Sequence, residues 1–145
     1  FMEFKDSYQA GSISEKAVLA YLQKKHPDAY IQKGYCKEYD IHIPSINIYI
    51  EVKQDFQSQY TGNTLVENSF NGCPSGISTS GSDWFVFVTR CNFYVITLEA
   101  LKSLVKEDNI INKSFIGKGD KDPKTAYLVP REDLINKCFK VIPVI

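Results

Sequence analysis

Ten residues separate Asp40 from Glu51-Val52-Lys53, with Pro44-Ser45 among them. A chain reversal at that Pro-Ser step sets Asp40 and Glu51 across a strand pair, where facing residues sit within roughly 5 Å on one side of the sheet. Two carboxylates at about 4 Å, in an effective dielectric of about 20, repel by on the order of 4 kcal/mol, so the pair must gain a proton, separate or hold a cation. Carboxylate oxygens and a main-chain carbonyl such as that of Val52 suit Mg²⁺ or Mn²⁺, hard ions that keep several waters and are completed by a substrate phosphate. Lys53, on the same strand face as Glu51, can then orient an attacking water and offset charge developing on the phosphate. The chemistry this spacing points to is metal-assisted hydrolysis of a phosphodiester, with Asp40, Glu51 and Lys53 at its centre.

The elements that must position these residues are legible around them. From residue 12 or 14 to residue 25 the chain has good helix formers, with Ile13, Ala17, Ala20 and Tyr21 at helical spacing and Pro27 beyond, which predicts a first helix. Residues 29–33, 35–43 and 46–53 are β-branched and aromatic stretches broken by Gly34 and Pro44-Ser45, which predicts a strand followed by a hairpin. In the last of these, Ile46, Ile48, Ile50 and Val52 alternate with Asn47, Tyr49, Glu51 and Lys53, so one face is core and the other carries the acid and the lysine.

Residues 54–82 are polar and rich in Gly, Ser, Asn and Thr, long for a connection and therefore expected to be a functional loop, with a short strand or helical turn at 64–67. Strands are expected at 84–89 and 93–96 around a turn at 90–92, and Thr97 with Glu99 opens a helix to about residue 107. A loop at 118–124, a strand at 126–129, a helix opening at Pro130 and a last strand at 139–144 complete the chain. The expectation is an α/β fold, a central mixed β-sheet flanked by helices, with residues 1–145 in one nuclease domain.

Asp40 on one strand and Glu51-x-Lys53 on the next resemble the active site of the PD-(D/E)XK nuclease superfamily. The likeness extends to Gly11, Glu15, Ala17, Leu19 and Leu22, which match the opening helix of its resolvase and exonuclease branches, whose helical Glu assists metal binding; Glu15 would take that role here. Tyr39 stands where the family usually has Pro. Thr61-Gly62-Asn63, Glu67, Pro74-Ser75-Gly76-Ile77-Ser78 and Asp83-Trp84 look like a pattern in small phage and viral members. The resemblance covers residues 11–97 and implies a restriction-endonuclease-like fold, Mg²⁺ or Mn²⁺ as cofactor, and nucleic acid as partner, DNA favoured over RNA. It also makes Glu67, Gln54, Ser75 and Ser78 candidate auxiliary or substrate-contacting residues. Two other readings stand beside a nuclease: a junction resolvase cutting as a homodimer rather than a monomer, and a non-catalytic nucleic-acid-binding module on the same fold.

Each residue also has a plainer reading. Glu51 and Lys53 alone could be a salt bridge on a half-exposed hairpin, and Glu15 an acid in the first turn of a helix, where the dipole favours it. His42 reads as a partly exposed strand histidine, His26 as a helix-end residue, and Trp84, Phe85 and Phe87 as core. The mixed charges at 118–124 describe a solvated turn. The chain is 43% hydrophobic and 23% charged with a formal net charge of zero, so bulk electrostatic coating of nucleic acid is not favoured. Cys36, Cys73, Cys91 and Cys138 have no CxxC or paired His and read as small core residues. The first residues lack the basic and apolar stretches of a secretory signal, Phe1 before Met2 reads as an expression remnant, and no apolar run is long enough for a membrane span, so an intracellular setting is expected.

Overall fold

The structure, a computed structural model, describes residues 4–34, 38–116 and 121–144; Phe1, Met2, Tyr35, Cys36, Lys118 and Asp120 lie outside the described residues. The first helix, α1 (Phe4–Gln23), begins earlier than the periodicity predicts, since nothing before Ser12 except Gly11 opposes a helix and a single Gly costs only about 1 kcal/mol. Short strands β1 (Tyr30–Ile31) and β2 (Ile41–Ile43) lead through a 3-10 turn at Pro44–Ile46 into β3 (Ile48–Gln54). Asn47 closes that turn in the left-handed region at φ 50°, its N–H donating to the Pro44 carbonyl at 3.1 Å. The turn therefore consumes Ile46 and Asn47, which were expected in the strand. The hairpin pairs Ile41 with Ile50, His42 with Tyr49 and Ile43 with Ile48.

β3 does not return directly to its next neighbour. The chain passes through α2 (Ser58–Thr61), β4 (Asn63–Phe70), β5 (Cys73–Pro74) and a 3-10 turn at Gly76–Ser78 before β6 (Trp84–Val88) lies parallel to β3, from Ile50 beside Trp84 to Gln54 beside Val88. The region expected to be a polar loop is thus a structured crossover, because Thr64 and Val66 are buried on one side of β4 while its hydrogen-bond partners come from far along the chain. Then follow β7 (Asn92–Thr97), α3 (Leu98–Val105), β8 (Ile111–Phe115), β9 (Lys124–Pro130), α4 (Arg131–Lys137) and β10 (Lys140–Pro143). The Thr97 hydroxyl accepts the Ala100 N–H at 3.1 Å and caps α3 as expected. β8 was not foreseen, since its residues are largely exposed and lack apolar alternation.

Among the described residues two sheets form, one of six strands in the order β1-β2-β3-β6-β7-β10 and one of four in the order β5-β4-β9-β8. The mixed six-stranded sheet has helices on both sides. On one face Val18 of α1 packs with Ile41, Ile50, Val52, Val86 and Val95. On the other, Phe85, Phe87, Tyr94 and Ile96 meet Leu101 and Leu104 of α3, Leu134 of α4, and Val66 and Val129 of the second sheet. No described helix is long and apolar enough to cross a membrane. Cys73 and Cys91 are exposed and Cys138 half-buried, so the three described cysteines are not the core residues expected of them; burial pushes the Cys138 thiol up to about 11.

Ile50 is fully buried in the middle of the central pairing. Ile50→Ala should lower the unfolding free energy by about 2–5 kcal/mol in urea titrations followed by circular dichroism. A loss under about 1 kcal/mol would show that the α1 face of the sheet is not tightly packed.

Candidate active-site cleft

Alternation along β3 sends Ile50 and Val52 toward α1 and Glu51 and Lys53 to the opposite face. There the Lys53 ammonium stands 3.7 Å from Glu51 Oε2, with the lysine side chain 44% and the glutamate side chain 21% exposed. They line a cleft of about 360 Å³ whose other walls include Glu38, Glu67, Gly76, Thr79 and Ser80. A neighbouring recess of about 210 Å³ runs from Lys53 past Gln54 and Asp55 to Glu67 and Lys124. The crossover therefore folds back so that β4 and the turn at Gly76–Ser78 wall the space in front of β3.

Asp40 lies in a bend just before β2, one residue beyond the last hairpin pair, Ile41 with Ile50, and is not among the described residues lining the cleft. Its own N–H donates to the Ile50 carbonyl at 2.9 Å. Its carboxylate is only 5% exposed as a residue, and Oδ2 accepts the Val52 N–H at 2.7 Å. The side chain thus takes the place a main-chain carbonyl would fill in the ladder, and this charge-assisted bond offsets much of the cost of burying the carboxylate. The two acids that spacing brings together are each given a local partner, Val52 N–H for Asp40 and Lys53 for Glu51.

Around His42 and Tyr49 sits an aromatic group. His42 stacks on Tyr49 with ring centres 4.1 Å apart, Tyr39 meets Tyr49 edge-on, and the Tyr30 hydroxyl lies 3.2 Å from His42 Nδ1. The hydrogen bond to the Tyr30 hydroxyl, with burial and neighbouring groups adding, pushes the Tyr39 phenol up to about 12. His42 is a partly buried strand histidine held by these contacts, as the plainer reading had it.

Glu67 comes from the far wall. Its carboxylate accepts the Ser75 hydroxyl at 2.7 Å and lies 3.7 Å from the Lys124 ammonium. Ser78 donates to the Asn68 carbonyl at 2.9 Å, beside the bulge between Glu67 and Ser69. The Ser75 and Ser78 hydroxyls therefore brace the wall that carries Glu67. Gly76 lies at φ +54°, and a Cβ there would sit 2.2 Å from the Glu67 carbonyl oxygen. Gln54 is exposed at the end of β3 and lines the neighbouring recess. Glu15 is half-buried on α1, the helix covering the opposite face, and is not among the described residues walling the cleft.

Asp55 was not singled out from the sequence. It is buried, its Oδ1 accepting the Ser58 N–H at 3.2 Å and its Oδ2 the Thr64 hydroxyl at 2.8 Å, while its own N–H donates to Val88 at 2.8 Å. It pins the start of the crossover to both β6 and β4. The signal was present in Asp55-Phe56-Gln57-Ser58, an acid three residues ahead of a helix's first N–H groups. Lys124, Thr79 and Ser80 had no comparable signal, because only the fold brings them here. Among the described residues no group of three or more His, Cys, Asp or Glu is gathered closely enough to hold a metal ion.

Comparison with protein-family models, curated proteins and solved structures returned no match.

Gly76→Ala forces a Cβ against the Glu67 backbone at a positive φ and should destabilise the fold by on the order of 2 kcal/mol. Gly81→Ala, where a Cβ meets nothing within 4 Å, should leave the thermal midpoint nearly unchanged. Equal effects at the two positions would contradict the close approach at Gly76.

Proposed function

We propose that this chain is a nuclease that hydrolyses phosphodiester bonds with Mg²⁺ or Mn²⁺, DNA being the favoured substrate over RNA. The observation that carries the reading is Glu51 and Lys53 side by side in an open cleft, with Asp40 bonded to the intervening Val52. The order of helix, hairpin, Glu-x-Lys strand, crossover and parallel neighbour also supports a restriction-endonuclease-like reading of the mixed sheet, in line with the family resemblance.

The donor types suit a hard divalent ion: Asp40 in the bend before β2 and Glu51 on β3 would offer carboxylate oxygens and Val52 a main-chain carbonyl, and such ions keep several waters rather than needing a full protein cage. Glu15, on the helix across the sheet from the cleft, stands outside this donor set. What the ion supplies when bound is polarisation of the phosphate and a more acidic water. Lys53 holds the attacking water and balances charge on the phosphate oxygens, and its ion pair with Glu51 keeps the ammonium directed at the cleft. Asp40 fixes the height of Val52, and so of the carbonyl and carboxylate on either side of that bond. Glu67, Ser75 and Lys124 form the facing wall against which a strand of nucleic acid would lie, with Gln54 at its end and Ser78 bracing it.

The test is cleavage of labelled single- and double-stranded DNA and RNA with and without Mn²⁺. Lys53→Ala, Glu51→Gln and Asp40→Asn should each lower the rate at least about a hundredfold, with thermal midpoints near that of the parent, because Asn at position 40 still offers an acceptor to Val52 N–H. Glu15→Gln, on the helix across the sheet from the cleft, should leave the rate near that of the parent. Metal-dependent cleavage that survives Glu51→Gln and Lys53→Ala would sink the proposal.

A further inference from the structure

A second site lies on the other face of the six-stranded sheet. Where α1 ends at Gln23 the sheet continues beneath β7 and β10, and a cavity of about 350 Å³ opens between the helix end and the strands. Its floor is Val86, Val95, Phe93 and Ile142, and Trp84 and Phe139 form an aromatic wall with ring centres 5.1 Å apart. Phe139 is 52% exposed, so the wall reaches solvent.

The rim has the opposite character. Lys24, Lys25, His26 and Lys140 surround the opening, and no acidic residue is among the described residues that line it. None of the three lysines has a described carboxylate within 4.0 Å. Lys24 and Lys140 both stand 5.8 Å from the centre of the Tyr21 ring, two cations drawn to one aromatic ring. Asp28, the nearest acid in sequence, is held by Ser45, whose N–H and hydroxyl donate to it at 2.6 and 2.9 Å. Gathering like charges over an apolar hollow without a counter-charge is unfavourable in the free protein, and an anion with an apolar body relieves it.

We propose that this cavity binds an anionic amphiphile, a single hydrocarbon chain ending in a carboxylate, with the chain on Val86, Val95 and Trp84 and the carboxylate between Lys24 and Lys140. A nucleotide fits less well. The described lining has no Asn, Gln, Ser, Thr, Asp or Glu side chain to pair the edges of a base, and polar edges left unpaired on burial cost affinity. A volume at the small end of the roughly 300–1,000 Å³ range of ligand pockets suits one medium-length chain rather than a two-tailed lipid.

Trp84 is the only tryptophan of the chain and stands in the cavity wall, so it reports occupancy directly. Decanoate titrated into the protein should change Trp84 fluorescence saturably, with calorimetry giving the same affinity, and added salt should weaken it. Decanol and adenosine monophosphate should bind more weakly. Lys24→Gln with Lys140→Gln, both exposed and expected to leave the thermal midpoint unchanged, should weaken decanoate roughly tenfold and leave decanol as it was. Absence of a saturable response to decanoate, tighter binding of adenosine monophosphate, or decanoate affinity indifferent to the double substitution would each overturn the proposal.

Discussion

Between β3 and β6 five residues pair in parallel, and the register of that pairing decides which side chains of the central strand meet which core. With Ile50 beside Trp84 and Val52 beside Val86, the aliphatic positions fall under α1, while Glu51 and Lys53 fall beside Phe85 and Phe87 on the face shared with the second sheet. A slip of one residue would place a carboxylate and an ammonium under Val18 and turn Ile50 and Val52 into the cleft, exchanging apolar burial for two buried charges. Asp83 reinforces the register at one end: it exchanges hydrogen bonds with the Tyr49 backbone through its N–H and Oδ2. Asp55 does so at the other, through Val88. Parallel neighbours also require a long crossover, and here the crossover supplies β4 and β5, one half of the second sheet and the facing wall of the cleft.

The electrostatics of the cleft follow from the same strand. A buried carboxylate is costly unless it is bonded, and Asp40 meets that need with the Val52 N–H, a donor fixed by the sheet. Glu51 and Glu67 are more accessible and are balanced by Lys53 and Lys124, one pair on each wall. At these exposures the pairs contribute little to stability. Their effect is on position, since each ammonium limits where its carboxylate can swing and the cleft keeps a defined shape between walls.

Much of this was readable in the chain. Strict alternation in β3, the reversal at Pro44, the Thr97 cap and the aromatic run at Trp84 each declare a local structure, because the physical cause lies within a few residues. Asp40, Glu51 and Lys53 could be related to one another for the same reason: a hairpin is a local device. β4 was only half declared, as a short strand or helical turn at 64–67, since Leu65, Glu67 and Ser69 give no clean period and its long partner is β9, from the last third of the chain. β8 is a surface edge strand with little to bury. Lys124, Thr79 and Ser80 are neighbours of the cleft only by virtue of tertiary pairing, and no spacing rule brings them together. Asp40 was expected to face Glu51, whereas the bonds of its N–H to Ile50 and of its carboxylate to Val52 depend on the bend that ends the ladder at Ile41.

The pairing of β4 with β9, from Asn63 beside Pro130 to Phe70 beside Lys124, ties the crossover to a strand made much later in synthesis. Closing so long a loop costs chain entropy before any contact repays it, which slows the formation of non-local strand pairs. The hairpin with Asp40 and Glu51 can form early, whereas the facing wall with Glu67 waits for β9. A nascent chain released before β9 would therefore carry the acids and the lysine on an open sheet, without the enclosure that gives the cleft its second side.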